Sequence, residues 1–244
     1  MERCDYVNDS LRLIQNTDGL TFGTDALLLA GYINGRRERG CELGGGTGII
    51  SMLLLTREKL NETVALEVQE EYAELIKRNA QLNSLDKRLH AVHADIRVYT
   101  SEREFDIVYT NPPYMKTDSG KSNIADQKNI ARHEVMGDIT DFCRSGARLL
   151  KFGGTFAVVY RPDRLSDLMA AMRASLLEPK RITFVHADIR SESSMVLIEA
   201  KKGGRCGAQL TRPLIIYKDE KHTEYSDDMK YIMENGSFPA YYKR

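Results

Sequence analysis

The sequence predicts an α/β fold with a seven-stranded, mostly parallel sheet, helices on both faces and an antiparallel hairpin at one edge. From Cys41 onward, short apolar strand patterns alternate with helical periodicity. The strands are apolar along nearly their whole length, as in a parallel sheet that helices cover on both faces. The last two strands are joined by a polar loop, residues 187–194, whose lack of a helical pattern favours a hairpin.

Each element follows from a local pattern. Alternating apolar residues around Thr17-Asp18-Gly19 predict a hairpin over residues 11–22. Thr24 or Asp25 is then expected to cap a helix over residues 26–33. The strands are predicted at residues 41–43, 63–68, 89–94, 105–110, 155–160, 181–186 and 195–200. The further helices are predicted at residues 49–57, 70–82, 139–150, 165–177 and 227–233. We interpret residues 1–244 as one domain, with residues 1–40 and 203–244 as short extensions.

Composition narrows the class of protein. The 35 basic and 35 acidic residues give a formal net charge of zero, so only a local basic face would favour nucleic acid. The four cysteines are scattered without a CxxC pair, which argues against a zinc site and a disulfide framework. No stretch approaches the roughly 18 apolar residues of a membrane helix, and the N-terminus lacks a signal-peptide pattern. We therefore expect a cytoplasmic protein without a bound metal.

A glycine-rich turn, Glu-Leu-Gly-Gly-Gly-Thr-Gly at residues 42–48, follows a predicted strand and opens a helix. Glycines there allow positive φ angles and close approach to a ligand. The turn is not a P-loop, because no Gly-Lys-Ser/Thr follows, and Ile49 stands where a dinucleotide fingerprint needs glycine. Glu42 would repel a pyrophosphate but suits a cation, such as the ammonium group of S-adenosylmethionine. A plain tight turn without a ligand is the alternative.

Two more acidic residues follow predicted strands. Glu67 ends the second strand, where an acid bonds ribose hydroxyls in nucleotide-binding α/β folds. Asp95 follows the third strand and is placed to accept a bond from an adenine amino group. Acids at strand ends also cap helices, so each is weak alone. Because both follow neighbouring strands, they indicate a nucleoside-like ligand at the carboxyl edge of the sheet.

Asn111-Pro112-Pro113-Tyr114 directly follows the fourth strand. The prolines stiffen this turn and remove two backbone donors. The Asn111 side-chain oxygen and the Pro112 carbonyl can both accept bonds from one NH2 group, which restores lone-pair density to a planar nitrogen. Tyr114 can stack on the planar group. The turn thus predicts methylation of an amide or amine nitrogen; a rigid proline turn with a buried tyrosine is the alternative.

Together these motifs resemble the class I S-adenosylmethionine-dependent methyltransferases that modify amino groups. More closely, residues 11–217 or so resemble the bacterial valine-tRNA adenine-N6 methyltransferases. The supporting segments are residues 22–30 (FGTDALLLA), 132–134 (RHE), 151–154 (KFGG) and 213–217 (PLIIY). The resemblance implies a Rossmann-like sheet, the cofactor at the glycine-rich turn, and modification of the adenine just 3′ of the anticodon of a valine tRNA. The chain departs from the family at Gly45, which is usually larger, and after Tyr217.

The resemblance and the strand ends together predict the site. The expected catalytic residues are Asn111, Pro112, Pro113 and Tyr114. The expected cofactor-binding residues are Thr24, Asp25, Glu42, Gly44, Gly46, Gly48, Glu67, Val68, Asp95, Ile96 and Asn111. The expected substrate-binding residues are Tyr114, Lys116, Arg132, His133 and Arg161.

A basic rim around Tyr114 is expected to contact tRNA, although for each single charge a solvated surface is the favoured interpretation. Its further members would be Arg164 after the fifth strand and Lys201, Lys202 and Arg205 after the seventh.

Other substrates and one other class of protein remain open. Enzymes that methylate the glutamine amide of release factors carry a helical domain ahead of the core. Here only some forty residues precede Glu42, which disfavours a protein substrate. Adenine methyltransferases that act on DNA usually add a recognition domain, and a ribosomal RNA substrate also stays possible. A non-catalytic module that only binds the cofactor is expected to lose Asn111 or Tyr114, and both are present.

Overall fold

The computed structural model describes residues 2–16, 23–113 and 137–243. The strands are β1 (Glu2–Asn8), β2 (Leu11–Asn16), β3 (Arg37–Leu43), β4 (Leu60–Glu67), β5 (Leu89–His93), β6 (Phe105–Thr110), β7 (Leu150–Tyr160), β8 (Leu177–His186), β9 (Ser193–Lys202), β10 (Gln209–Leu210) and β11 (Leu214–Ile215). The α-helices are α1 (Thr24–Tyr32), α2 (Ile49–Thr56), α3 (Glu70–Leu82), α4 (Ile139–Leu149), α5 (Leu165–Ala174) and α6 (Asp227–Asn235).

The central sheet confirms the predicted fold class. Its seven longer strands lie in the order β8-β9-β7-β6-β3-β4-β5. Strand β9 runs antiparallel to both β7 and β8, and the remaining described pairs of this sheet are parallel. The two-residue strands β10 and β11 both pair with β8. The hairpin of β8 and β9 is therefore not the outermost part of the sheet on that side.

The N-terminal hairpin differs from the prediction. Strand β2 begins at Leu11 as expected, but its partner is the preceding strand β1, and the two are joined at residues 9–10. The predicted turn and second strand, residues 17–22, lie outside the described residues. The side chains of Asn79 in α3 and Asn83 at its C-cap accept bonds from the backbone nitrogens of Ile14 (2.7 Å) and Arg12 (2.9 Å). These bonds dock β2 against α3.

Helix α1 begins at Thr24, and the predicted capping role of Thr24 or Asp25 is wrong. The N-cap residue is Gly23, and no side-chain cap bond forms there. Asp25 lies in the first helical turn, where its Oδ1 accepts a bond from the nitrogen of Ala26 at 2.9 Å. Its other carboxylate oxygen, Oδ2, accepts a hydrogen bond from the side chain of Asn111.

The core has two layers, one on each face of the sheet. Helices α1, α2, α3 and α6 cover one face, and α4 and α5 cover the other. Phe238 and Tyr242, beyond α6, are fully buried in the first layer, so the C-terminal residues complete that layer. Within the described ranges, no helix is long and apolar enough to cross a membrane.

Candidate functional site

The two candidate turns lie side by side at the carboxyl edge of the sheet. Strands β3 and β6 are parallel neighbours, with Leu43 in register with Thr110. The buried Thr110 hydroxyl donates a hydrogen bond to the Leu43 carbonyl at 2.8 Å. This bond fixes the glycine-rich turn beside Asn111. No sequence pattern indicates this bond, since Thr110 fits the pattern of an ordinary strand residue.

The glycine-rich turn has the backbone that the sequence predicts. Gly44, Gly46 and Gly48 have φ angles of 71°, 54° and 80°, which strain any residue with a side chain. The backbone nitrogens of Gly44 and Gly45 both donate to the Leu66 carbonyl at 2.9 Å. A Cβ atom at Gly45 would lie 2.7 Å from Cδ1 of Ile76, so a larger residue here requires that flexible side-chain end to move. The turn is therefore tightly seated on β4 and α3.

Glu67 joins the end of β4 to this turn. Its carboxylate accepts bonds from the backbone nitrogens of Gly46 (3.0 Å) and Gln69 (2.9 Å). The buried Asn79 of α3 adds a second support, because its Nδ2 donates to the Thr47 carbonyl at 3.0 Å. Asn79 was missed by the sequence reasoning, although a polar residue between the apolar Ile76 and Ala80 was a signal for it.

Asp95 lies beyond β5, next to the end of β4. The Ala94 nitrogen bonds to the Glu67 carbonyl at 2.9 Å, which places the expected residues Val68, Asp95 and Ile96 at neighbouring strand ends. Asp95 accepts bonds from the side chain (2.6 Å) and backbone nitrogen (2.8 Å) of Arg97. The hydrogen bonds and charge of Arg97 hold the pKa of Asp95 below its usual range. A contact between these residues and the adenosine part of the cofactor stays a prediction.

Glu42 lies beneath the glycine-rich turn and faces α2. Its carboxyl group is almost fully buried and accepts bonds from the hydroxyl and the backbone nitrogen of Ser51. The Ser51 hydroxyl also bonds to the Tyr109 hydroxyl at 2.7 Å, which bonds to Thr63 at 2.8 Å. Burial raises the pKa of Glu42 to about 8. Its expected contact with the cofactor ammonium stays a prediction.

The Asn111 side chain is held by α1. Its Nδ2 donates a hydrogen bond to Oδ2 of Asp25 at 2.6 Å. Asp25 thus bonds directly to the turn that follows β6. The expected contact of Thr24 and Asp25 with the cofactor stays a prediction. Pro112 is buried and Pro113 is half-buried. Four further expected site residues lie outside the described ranges: Tyr114, Lys116, Arg132 and His133.

Beside the prolines, a cavity of about 420 Å³ opens between α4 and α5. Pro112, Pro113 and Arg164 line it, and Arg164 forms an ion pair with Asp167 at 2.5 Å. Arg161 follows β7 at the same edge and pairs with Asp163 at 2.6 Å. Its contact with substrate stays a prediction.

The predicted basic rim is wrong for Lys201, Lys202 and Arg205. Because β9 is antiparallel to β7, its C-terminal end lies at the amino edge of the sheet, and Lys201 pairs with Thr155 there. The Lys201 ammonium donates to the Gly153 carbonyl at 3.1 Å. These cations therefore lie at the amino edge of the sheet, and Asn111 lies at the carboxyl edge.

Residues 16–175 match the family model described as methyltransferase small domain. The chain belongs to this family. The predicted class, a methyltransferase that uses S-adenosylmethionine, is thereby confirmed.

Curated relatives and solved structures agree with this family. The chain is 35% identical over 182 residues to a tRNA1(Val) (adenine(37)-N6)-methyltransferase from Phocaeicola vulgatus, an alignment that covers 73% of this chain and 76% of the relative. A protein of the same name from Dyadobacter fermentans is 26% identical over 167 residues, which cover 68% and 69% of the two chains. A predicted O-methyltransferase from Agrobacterium tumefaciens matches in structure with a TM-score of 0.71 at 23% identity, covering 88% of this chain and 98% of that one. At that identity the last comparison supports the fold alone.

Proposed function

We propose that this methyltransferase transfers a methyl group from S-adenosylmethionine to the N6 atom of an adenine in tRNA. The specific target that we propose is the adenine just 3′ of the anticodon of a valine tRNA, in the cytoplasm. The observation that carries the chemistry is the placement of the Asn111-Pro112 turn against the glycine-rich turn by the Thr110–Leu43 bond. The substrate rests on the names of the relatives, which act on this adenine.

The residues of this turn explain how a poor nucleophile reacts. The lone pair of an adenine amino group is delocalised into the ring. The Asn111 side-chain oxygen and the Pro112 carbonyl accept bonds from its two protons, and these bonds strengthen as the nitrogen becomes positive. The cofactor supplies the methyl group on a sulfonium, a good leaving group. The methylated nitrogen is strongly acidic, so it loses its proton after transfer without a strong base.

The test compares wild-type protein with Asn111→Ala on unmodified tRNA transcripts and labelled S-adenosylmethionine. Wild-type protein should form N6-methyladenosine in valine tRNA and none in a transcript whose target adenine is guanine. Asn111→Ala should lower kcat by about 100-fold or more, the size seen when one aligned transition-state hydrogen bond is removed. Cofactor affinity should stay within about threefold, because the carboxylates and glycines remain.

The matched control is Asn235→Ala, which removes an exposed amide at the end of α6. It should leave kcat unchanged. Full turnover by Asn111→Ala, or methylglutamine in a protein with no methylated tRNA, would contradict the proposal.

A further inference from the structure

We propose that Asp25 is a positioning residue for methyl transfer, which orients the Asn111 amide and stabilises positive charge developing on the substrate nitrogen. This inference rests on the proposed role of Asn111. It gives Asp25 a different function from the cofactor contact that the sequence predicts.

Both oxygens of Asp25 are held by donors from different elements. Oδ1 accepts from the Ala26 nitrogen within α1 at 2.9 Å, and Oδ2 accepts from Asn111 Nδ2, beyond β6, at 2.6 Å. The first turn of a helix also favours a negative charge. At Gly23, an added Cβ would lie 2.5 Å from Oδ1, so glycine leaves the carboxylate its space. The carboxylate is therefore fixed in place before any substrate arrives.

This contact decides which way the Asn111 amide points. An ionised carboxylate only accepts hydrogen bonds, so the NH2 end of Asn111 must face Asp25. The reverse orientation would bring two oxygen atoms to 2.6 Å, the distance of the observed bond. The Oδ1 end is consequently turned away from α1. A target amino group needs that acceptor end, so Asp25 selects the productive orientation.

The charge of Asp25 adds to the geometry. A hydrogen bond to a carboxylate is stronger than one between neutral groups, and it polarises the amide so that Oδ1 becomes more negative. Methyl transfer moves positive charge from sulfur to nitrogen, towards the pair formed by Asn111 and Asp25. The pair therefore stabilises the transition state more than the ground state, and its loss should appear in kcat.

Two substitutions test the contact made by Asp25. Asp25→Asn keeps the size but removes the charge and one of the two acceptor oxygens, whereas Asp25→Ala removes the whole carboxylate. We expect kcat to fall about 10-fold for Asp25→Asn and about 100-fold for Asp25→Ala. The Kd of S-adenosylmethionine, from calorimetry, should stay within about threefold in both. The matched control is Asp227→Asn, an exposed carboxylate in the first turn of α6, which should change neither value.

A second readout does not depend on the substrate. The side-chain NH2 signal of Asn111 in a nitrogen-15 NMR spectrum is identified by its loss in Asn111→Ala. The proton bonded to Asp25 should move upfield in Asp25→Ala and remain close to its position in Asp227→Asn. If wild-type protein methylates no tRNA, the proposed substrate fails while this signal still decides whether Asp25 holds Asn111.

Two results would overturn the inference. An unchanged Asn111 signal in Asp25→Ala would show that the contact does not exist in solution. A tenfold weaker cofactor Kd with unchanged kcat in Asp25→Asn would make Asp25 a cofactor ligand. Thermal unfolding of each variant separates both results from loss of the fold.

Discussion

Among single residues, Glu42 is a carboxyl group of the candidate site that the fold removes from solvent. It is 1% exposed, and its hydrogen-bond partners are the hydroxyl and backbone nitrogen of Ser51 in α2, which carry no positive charge. Burial outweighs these bonds and raises its pKa to about 8, from an ordinary value of 4.5. The folded protein therefore keeps a proton on Glu42 that the unfolded chain releases above about pH 4.5.

This difference gives a pH dependence with a definite sign. Between about pH 4.5 and 8 the folded state binds more protons than the unfolded state, so the contribution of Glu42 to stability falls as the pH rises. Glu42→Gln removes this ionisation while keeping an acceptor oxygen. We expect its stability relative to wild type to increase by about 2–4 kcal/mol from pH 5 to pH 8.

Urea unfolding at several pH values measures this effect. Glu71→Gln, an exposed residue of α3, is the matched control and should follow the wild-type curve. Parallel pH curves for Glu42→Gln and wild type would mean that Glu42 ionises normally in the folded protein.

At the scale of elements, the direction of β9 decides which cations can reach the substrate. Arg161 follows the carboxyl end of β7, and Arg205 follows the end of antiparallel β9 at the opposite edge. Arg161→Gln should raise the KM for tRNA about fivefold, equivalent to about 1 kcal/mol. The salt dependence of binding should also weaken by about one unit of slope if one phosphate contact is lost.

Arg205→Gln removes the same charge from an exposed side chain at the amino edge. Its KM should therefore equal that of wild type. An equal rise of KM in both variants would mean that the RNA covers both edges of the sheet, contrary to the single-edge arrangement proposed for Arg161.

The sequence predicted those elements whose stability comes from burial. Apolar runs located the interior strands, and glycines located the turn that follows β3. Strand β1 was missed because its side chains are mostly exposed, so it has no apolar alternation. The first half of β3 is polar and is held by neighbours, for example by the bond from the Arg39 nitrogen to Asp106 at 2.9 Å. The contact between Asp25 and Asn111 joins residues 86 positions apart, which no local pattern reveals.

Across the whole molecule, the C-terminal residues support the helix that carries Asp25. Arg181, in β8, donates to the Tyr32 carbonyl at 2.6 Å and to the Tyr242 carbonyl at 3.0 Å. It also pairs with Glu199 at 2.8 Å. These bonds join the end of α1, the sheet and the C-terminal residues in one buried network. The position of α1, and with it the Asn111 contact, therefore depends on residues more than 200 positions away from Asp25.

Phe238 adds apolar contacts to the same region, because it packs against Tyr32 and Tyr242. It is fully buried and meets the rings of Tyr32 and Tyr242 edge-on, with centroids 5.3 and 5.2 Å away. Phe238→Ala should destabilise the protein by about 3–5 kcal/mol through lost burial and a cavity. Tyr231→Ala, on the exposed side of α6, should cost no more than about 0.5 kcal/mol. Urea unfolding measures both, and a loss below about 1 kcal/mol for Phe238→Ala would show that the C-terminal residues are a dispensable appendage.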